Sequence, residues 1–120
     1  MDNSIDEKQY AEQLGTQMRK GLLVYCVLLL CSQGKTHNTS EIIRDLQAAS
    51  LDVVGGTIYP LLNRLGKDGL LSYEWQESAQ GPPRKYYQMT DKGYRVLNEL
   101  QAITNQLQTT ITNIERQHHE

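Results

Sequence analysis

The chain has 120 residues, of which 38% are hydrophobic and 22% charged, and its formal net charge is −2. Such a length and composition fit one globular domain whose core needs neither disulfide nor metal staples. The net charge excludes a uniform polycation, so any nucleic-acid binding has to come from a local basic patch.

From Ile5 to about Ser32 the pattern is helical. Tyr10, Leu14 and Met18 recur every four residues, and the apolar face broadens through Leu22 to Leu30. The leading stretch MDNSIDEKQYAEQ is acidic and polar, where a secretory signal is basic and then apolar. The apolar run Leu22 to Cys31 has ten residues, against about 20 for a bilayer span, so it reads as a core helix and not a membrane anchor. Cys26 and Cys31 read as small buried hydrophobes. Their spacing is poor for zinc and hard to close as a disulfide, and reduced thiols suit the cytoplasm. Gly15 and Gly21 weaken this helix and are candidate points of division. Gly34 is suited to the left-handed C′ position that ends it.

Asn38 to Glu41 (NTSE) has the form of a capping box, and opens a second helix from Ser40 to about Ala49 with Ile42, Ile43 and Leu46 inward. A third helix follows from about Val54 to Asp68, where Asp68-Gly69 stops it. Leu70 to Glu77 (LLSYEWQE) and Arg84 to Met89 (RKYYQM) read as two strands joined by the loop SAQGPP. Thr90 then caps a long last helix that carries Asp91 in its first turn. The order helix, helix, helix, hairpin, helix is that of a winged helix-turn-helix. The fold class is mainly α (α+β), with a two-stranded wing and a long C-terminal dimerisation helix. Residues 1–90 form the DNA-binding unit and 91–120 the dimerisation helix.

In the third helix Ile58, Leu61, Leu62 and Leu65 share one apolar arc. The opposite arc carries Tyr59, Pro60, Asn63 and Lys67, with Thr57 and Arg64 at its margins and no carboxylate before Asp68. These groups can read base edges: Asn pairs with adenine, Arg or Lys with guanine, and Thr or Tyr touches the thymine methyl. A plain solvated face is the alternative. Pro60 costs a backbone hydrogen bond if it lies inside the helix, which suggests a reason beyond folding. In the hairpin, Gly81 permits close approach, Pro82 and Pro83 stiffen the loop, and Arg84 and Lys85 follow at once. A rigid projection with two cations suits phosphate or minor-groove contact. The alternative is pairing with Glu74 or Glu77 across the hairpin. From Gly34 to Tyr86 six cations balance six acids, so binding requires the cations to be segregated on one surface.

In the last helix Leu97, Leu100, Thr104, Leu107, Ile111 and Ile114 form a heptad seam interrupted by Thr104. It requires a partner, either the first helix of the same chain or a second copy. We expect a homodimer interface at Leu97, Leu100, Leu107, Ile111 and Ile114. Two third helices one turn of DNA apart, about 34 Å, imply a near-palindromic site. His118 and His119 read as a polar terminus, not a metal site. No Ser/His/Asp set, metal cluster or Gly-rich phosphate loop points to an enzyme, and no cofactor or metal is expected.

The stretches GTIYPLLNRLGKDGLL and GPPRKYYQMTDKGYRVL together resemble the PadR family of bacterial transcriptional regulators. The likeness is densest from Val54 to Leu97. It implies a cytoplasmic, dimeric winged-helix repressor of the short-tailed subfamily. By that resemblance, the helix at Thr57 to Lys67 enters the major groove of double-stranded DNA, and the wing at Gly81 to Lys85 meets the backbone. A small aromatic or hydrophobic effector releases the DNA. Two stretches depart from the family pattern. Its His-Gly-Tyr-Glu-Ile reads HNTSEI here, with Ser40 in place of Tyr. The last helix has QAITNQL where drug-sensing members carry a Trp, and Trp75 lies instead in the hairpin. An effector is therefore expected in a dimer groove lined by residues such as Tyr10, Met18 and Leu100. The rival reading is a winged helix that binds protein instead of DNA.

Overall fold

The computed structural model of the chain describes residues 6–119. Its elements are α1 (Glu7–Cys31), β1 (His37–Asn38), α2 (Thr39–Ala48), α3 (Gly55–Lys67), β2 (Leu71–Ser78), β3 (Gly81–Met89) and α4 (Asp91–His119). This is the winged helix-turn-helix expected from the sequence, with the hairpin widened to a three-stranded antiparallel sheet of order β1-β3-β2. Ile5 and the side chains of 118–120 lie outside what is described.

Asp6 starts α1 by accepting from the Gln9 N–H at 2.7 Å. The helix then runs through Gly15 and Gly21 without a break, so the expected division does not occur. A glycine costs a helix only about 1 kcal/mol, and the C-terminal half of α1 is clamped in the core through Leu23, Val27, Leu28 and Cys31. By length and composition alone α1 could cross a membrane, with a window of mean hydropathy 1.3, but those four residues are buried in the domain. Gly34 is left-handed as expected (φ 84°), although Ser32 is the C-cap and Gly34 lies one residue past C′.

The capping box of α2 forms in full: Asn38 Oδ1 accepts from the Glu41 N–H at 2.8 Å, and the Asn38 N–H donates to Glu41 Oε1 at 2.9 Å. Directly before it, β1 pairs with the middle of β3, His37 opposite Tyr87 and Asn38 opposite Tyr86. His37 is fully buried there. The helices α2 and α3 are joined by a turn in which Ser50 takes the left-handed conformation (φ 71°). The Leu51 N–H reaches Leu46 O at 2.9 Å and the Ser50 N–H reaches Gln47 O at 3.0 Å, the paired bonds of a Schellman ending. Gln47 Nε2 also donates to Val53 O at 2.9 Å and fixes the turn.

The same ending recurs after α3. Gly69 is left-handed (φ 80°), the Leu70 N–H reaches Leu65 O at 2.9 Å, and the Gly69 N–H reaches Gly66 O at 3.1 Å. At the other end of the wing Thr90 caps α4 by accepting from the Gly93 N–H at 3.0 Å, while its hydroxyl donates to Gly69 O at 2.6 Å. The spacing Thr90-x-x-Gly93 is therefore a structural lock that ties α4 to the base of the wing. The core sits between α1, α2, α3 and the sheet, and Leu28, Ile42, Ile58 and Leu62 are fully buried in it.

Candidate nucleic-acid interface

The third helix turns Ile58, Leu62 and Leu65 into the core and leaves Thr57, Tyr59, Pro60, Asn63, Arg64 and Lys67 exposed. The face expected from the 3.6-residue period is the face found. Pro60 lies beyond the first turn of α3, so it withholds the N–H that would bond the Gly56 carbonyl. Tyr59 folds back along the helix, with its ring against Gly55. Arg64 lies 3.9 Å from Asp68, an exposed pair. Val54 gives α3 no side-chain cap, and its first turn carries no acid.

The wing departs from expectation in one respect. Its turn is Ala79-Gln80, with Ser78 opposite Gly81, and Pro82 and Pro83 belong to β3. From Gly81 to Lys85, β3 has β2 as its only strand neighbour among the described residues, and the register slips between Gln76 and Ser78. A proline's missing N–H is tolerated at such an edge. Arg84 and Lys85 lie within the strand, as read from the sequence, and the strand begins three residues earlier than expected. Arg84 is opposite Gln76 and Lys85 opposite Trp75. Among the described residues neither pairs with Glu74 or Glu77. Lys85 Nζ lies instead 4.3 Å from the Tyr73 ring centre and 5.4 Å from that of Trp75.

These features meet in a cleft of about 470 Å³ between α3 and the wing. Tyr59 and Asn63 form one wall, Trp75, Lys85 and Tyr87 the other, and Asn38 to Ser40 at the start of α2 close one end. It continues into a smaller hollow lined by Asn63, Lys67, Tyr73 and Lys85. Lys67 and Lys85 line the two, Arg84 borders the larger one from the other face of β3, and among the described residues no carboxylate lines either. The cleft is thus a local patch of lysines without acids, the kind of feature that binding to a polyanion uses in a chain of net charge −2. Tyr87 sits at the back of the cleft. Burial pushes its phenol up, and the nearby phenols of Tyr73 and Tyr59 add to that. Thr57 is separate from this group: it faces a second hollow, between α1 and the α2–α3 turn, lined also by Arg19, Lys20 and Asp52.

The sequence profile of the transcriptional regulator PadR-like family matches residues 27–99, more than half of the chain. The chain belongs to the PadR-like family. A PadR-like transcription factor from Bacteroides fragilis is 52% identical over 85% of this chain and 98% of its own, with a TM-score of 0.72. A PadR family transcriptional regulator from Eggerthella lenta is 30% identical over 89% of this chain and 93% of its own, with a TM-score of 0.82. A PadR-like regulator from Bacillus cereus is 36% identical over 82% of this chain and 95% of its own, with a TM-score of 0.70. No curated protein matches the chain. This PadR-like protein is therefore a transcriptional regulator by family, with the DNA-binding architecture that such regulation uses.

The expected dimer and effector residues are distributed unevenly. Leu97 is buried in the protomer's own core, and Leu100 packs against that core from α4. They meet the first of the two alternatives for the seam, a partner within the chain. Leu107, Ile111 and Ile114 remain exposed beyond it. Tyr10 and Met18 are exposed on α1, and neither lines the clefts described above. Sequence reasoning missed Tyr73 and Trp75 as wall residues. The alternation in LLSYEWQE already places both on one face of β2, but only the register with β3 sets that face against Lys85.

Proposed function

We propose that this PadR-like protein is a cytoplasmic, homodimeric repressor that reads a near-palindromic operator in double-stranded DNA. The supporting observation is the cleft between α3 and the wing, lined by Lys67 and Lys85, bordered by Arg84, and free of carboxylates among the described residues. In this reading α3 enters the major groove. Tyr59, Asn63 and Lys67 meet base edges, with Pro60 beside them. Arg64 and Thr57 hold phosphates at the margins, and Gly81, Arg84 and Lys85 bring the wing onto the backbone.

The second copy docks on the exposed apolar faces of the two long helices: Leu14, Met18 and Leu22 on α1, and Leu107, Ile111 and Ile114 on α4. Leu97 supports α4 from inside the protomer, and the half-buried Leu100 lies at the edge of that core. A small aromatic or hydrophobic effector enters the resulting groove near Tyr10, Met18 and Leu100, and releases the DNA by shifting one protomer against the other.

Hydroxyl-radical footprinting on the DNA upstream of its own gene tests this reading. The expected result is two protected segments, one helical turn (about 34 Å) apart. A single protected segment, or none, from a folded protein contradicts it, and the latter favours the protein-binding alternative.

A further inference from the structure

The inner face of the wing carries an aromatic ladder. In the β2–β3 register Tyr73 opposes Tyr87 and Trp75 opposes Lys85, so all four side chains share one face. The Tyr73 and Trp75 rings meet edge to face at 6.3 Å, and Tyr73 and Tyr87 are tilted at 5.9 Å. The Lys85 ammonium lies over the first two rings. Glu74 and Gln76 alternate onto the opposite face with Tyr86 and Arg84.

Two properties of this ladder go beyond what holding a hairpin together requires. Trp75 is 61% exposed, although it is the chain's one tryptophan and lies beside a core. Lys85 is half-buried among rings, and among the described residues it has no carboxylate partner. A cation held over aromatic faces loses rotamer freedom before any ligand arrives, so less is lost on binding. Across the cleft stand Tyr59 and Asn63. A flat apolar surface beside a preset cation matches a strand in which sugar rings alternate with phosphates.

We propose that the inner face of the wing seats one sugar–phosphate strand of the duplex, with Trp75 packed on a deoxyribose and Tyr73 and Trp75 holding Lys85 to the adjoining phosphate. Trp75 is a contact residue and Tyr73 a positioning residue. This rests on the DNA-binding reading above, and adds that the contact is independent of sequence.

The sole tryptophan supplies its own reporter. The probe is a fluorescein-labelled random-sequence duplex at low ionic strength, followed by anisotropy and by Trp75 emission in the same titration. The expected result is saturable quenching of Trp75, and its protection from acrylamide, at the midpoint of the anisotropy change. Trp75→Leu weakens binding about tenfold on random and operator-bearing duplexes alike, and Trp75→Phe restores most of it. Trp75→Leu combined with Lys85→Gln weakens binding by less than the product of the single losses, because the ring acts partly through Lys85. Circular dichroism confirms that each variant is folded. Binding with unchanged Trp75 emission and accessibility overturns the strand seat and leaves the DNA reading standing. No binding to any duplex at low salt overturns both.

Discussion

Gly93 is buried where α4 leaves the base of the wing, and its replacement by alanine tests the lock described there. A methyl group at this position collides with the Leu70 carbonyl oxygen, and stands 3.2 Å from the carbonyl carbon and 3.3 Å from Met89 Cε. That oxygen accepts from the Thr90 N–H at 3.2 Å and from the Thr90 hydroxyl at 3.1 Å. To relieve the collision α4 has to move off the wing, which loosens both bonds. Two hydrogen bonds are worth about 1 kcal/mol each, and overpacking adds about 1–3 kcal/mol. Alanine returns about 1 kcal/mol through its better helix propensity. The expected net loss is about 2–4 kcal/mol, or roughly 10 °C in Tm for a domain of this size. Thermal melts followed by circular dichroism at matched concentration measure it. Gly66→Ala is the control: its Cβ meets nothing within 4 Å, so it gains about 0.4–1 kcal/mol. If Gly93→Ala melts with or above the unmodified protein, the close approach is not real and the Thr90-Gly93 lock fails with it.

Three further outcomes follow from the same geometry. Ser50 holds a positive φ at which most side chains are strained, so Ser50→Gly raises the urea midpoint by about 0.5–1 kcal/mol in stability, and an unchanged or lower midpoint contradicts the strain. Burial pushes the Cys31 thiol up to about 12 from an ordinary 9.0, so the folded state keeps a proton that the unfolded state loses. This contribution is complete below pH 9 and is lost as pH rises from 9 towards about 12. Urea titrations at neutral pH and about pH 10 accordingly show a larger loss for the unmodified protein than for Cys31→Ala. On DNA, Asn63→Ala relaxes sequence preference by about 1–3 kcal/mol at one base position, whereas Arg84→Ala weakens all sequences alike and flattens the salt dependence. Equal losses for Asn63→Ala on operator and random duplexes remove its base-reading role.

Much of the fold is legible in the sequence because its signals are local. The capping box at Asn38 and Glu41 and the 3.6-residue period of α3 need no tertiary information. The aromatic alternation of β2 and the cap at Thr90 need none either. What escapes reading depends on contacts distant in sequence. Strand β1 is two residues long and exists only through its pairing with Tyr86 and Tyr87. Pro82 and Pro83 look like loop residues until the register shows that β1 pairs only with Tyr86 and Tyr87, which leaves β3 an edge at the prolines. The apolar positions of α4 follow a regular spacing, but periodicity cannot tell that Leu97 is buried in the protomer's own core while Ile111 and Ile114 are exposed. The candidate interface divides similarly. The exposed residues of α3 follow from its apolar face, whereas the seating of Lys85 on Tyr73 and Trp75 requires the register of two strands.

In the proposed function, DNA is gripped by the cleft between α3 and the wing, whose described lining holds lysines and no carboxylate. Fluorescence anisotropy of the folded protein against its own upstream promoter DNA and a scrambled duplex, at low and moderate salt, tests it most directly. The expected result is tight binding that favours the promoter and weakens steeply as salt rises, with a slope of about −0.9 per phosphate contacted. Binding that ignores salt, or no binding to either duplex, would contradict it.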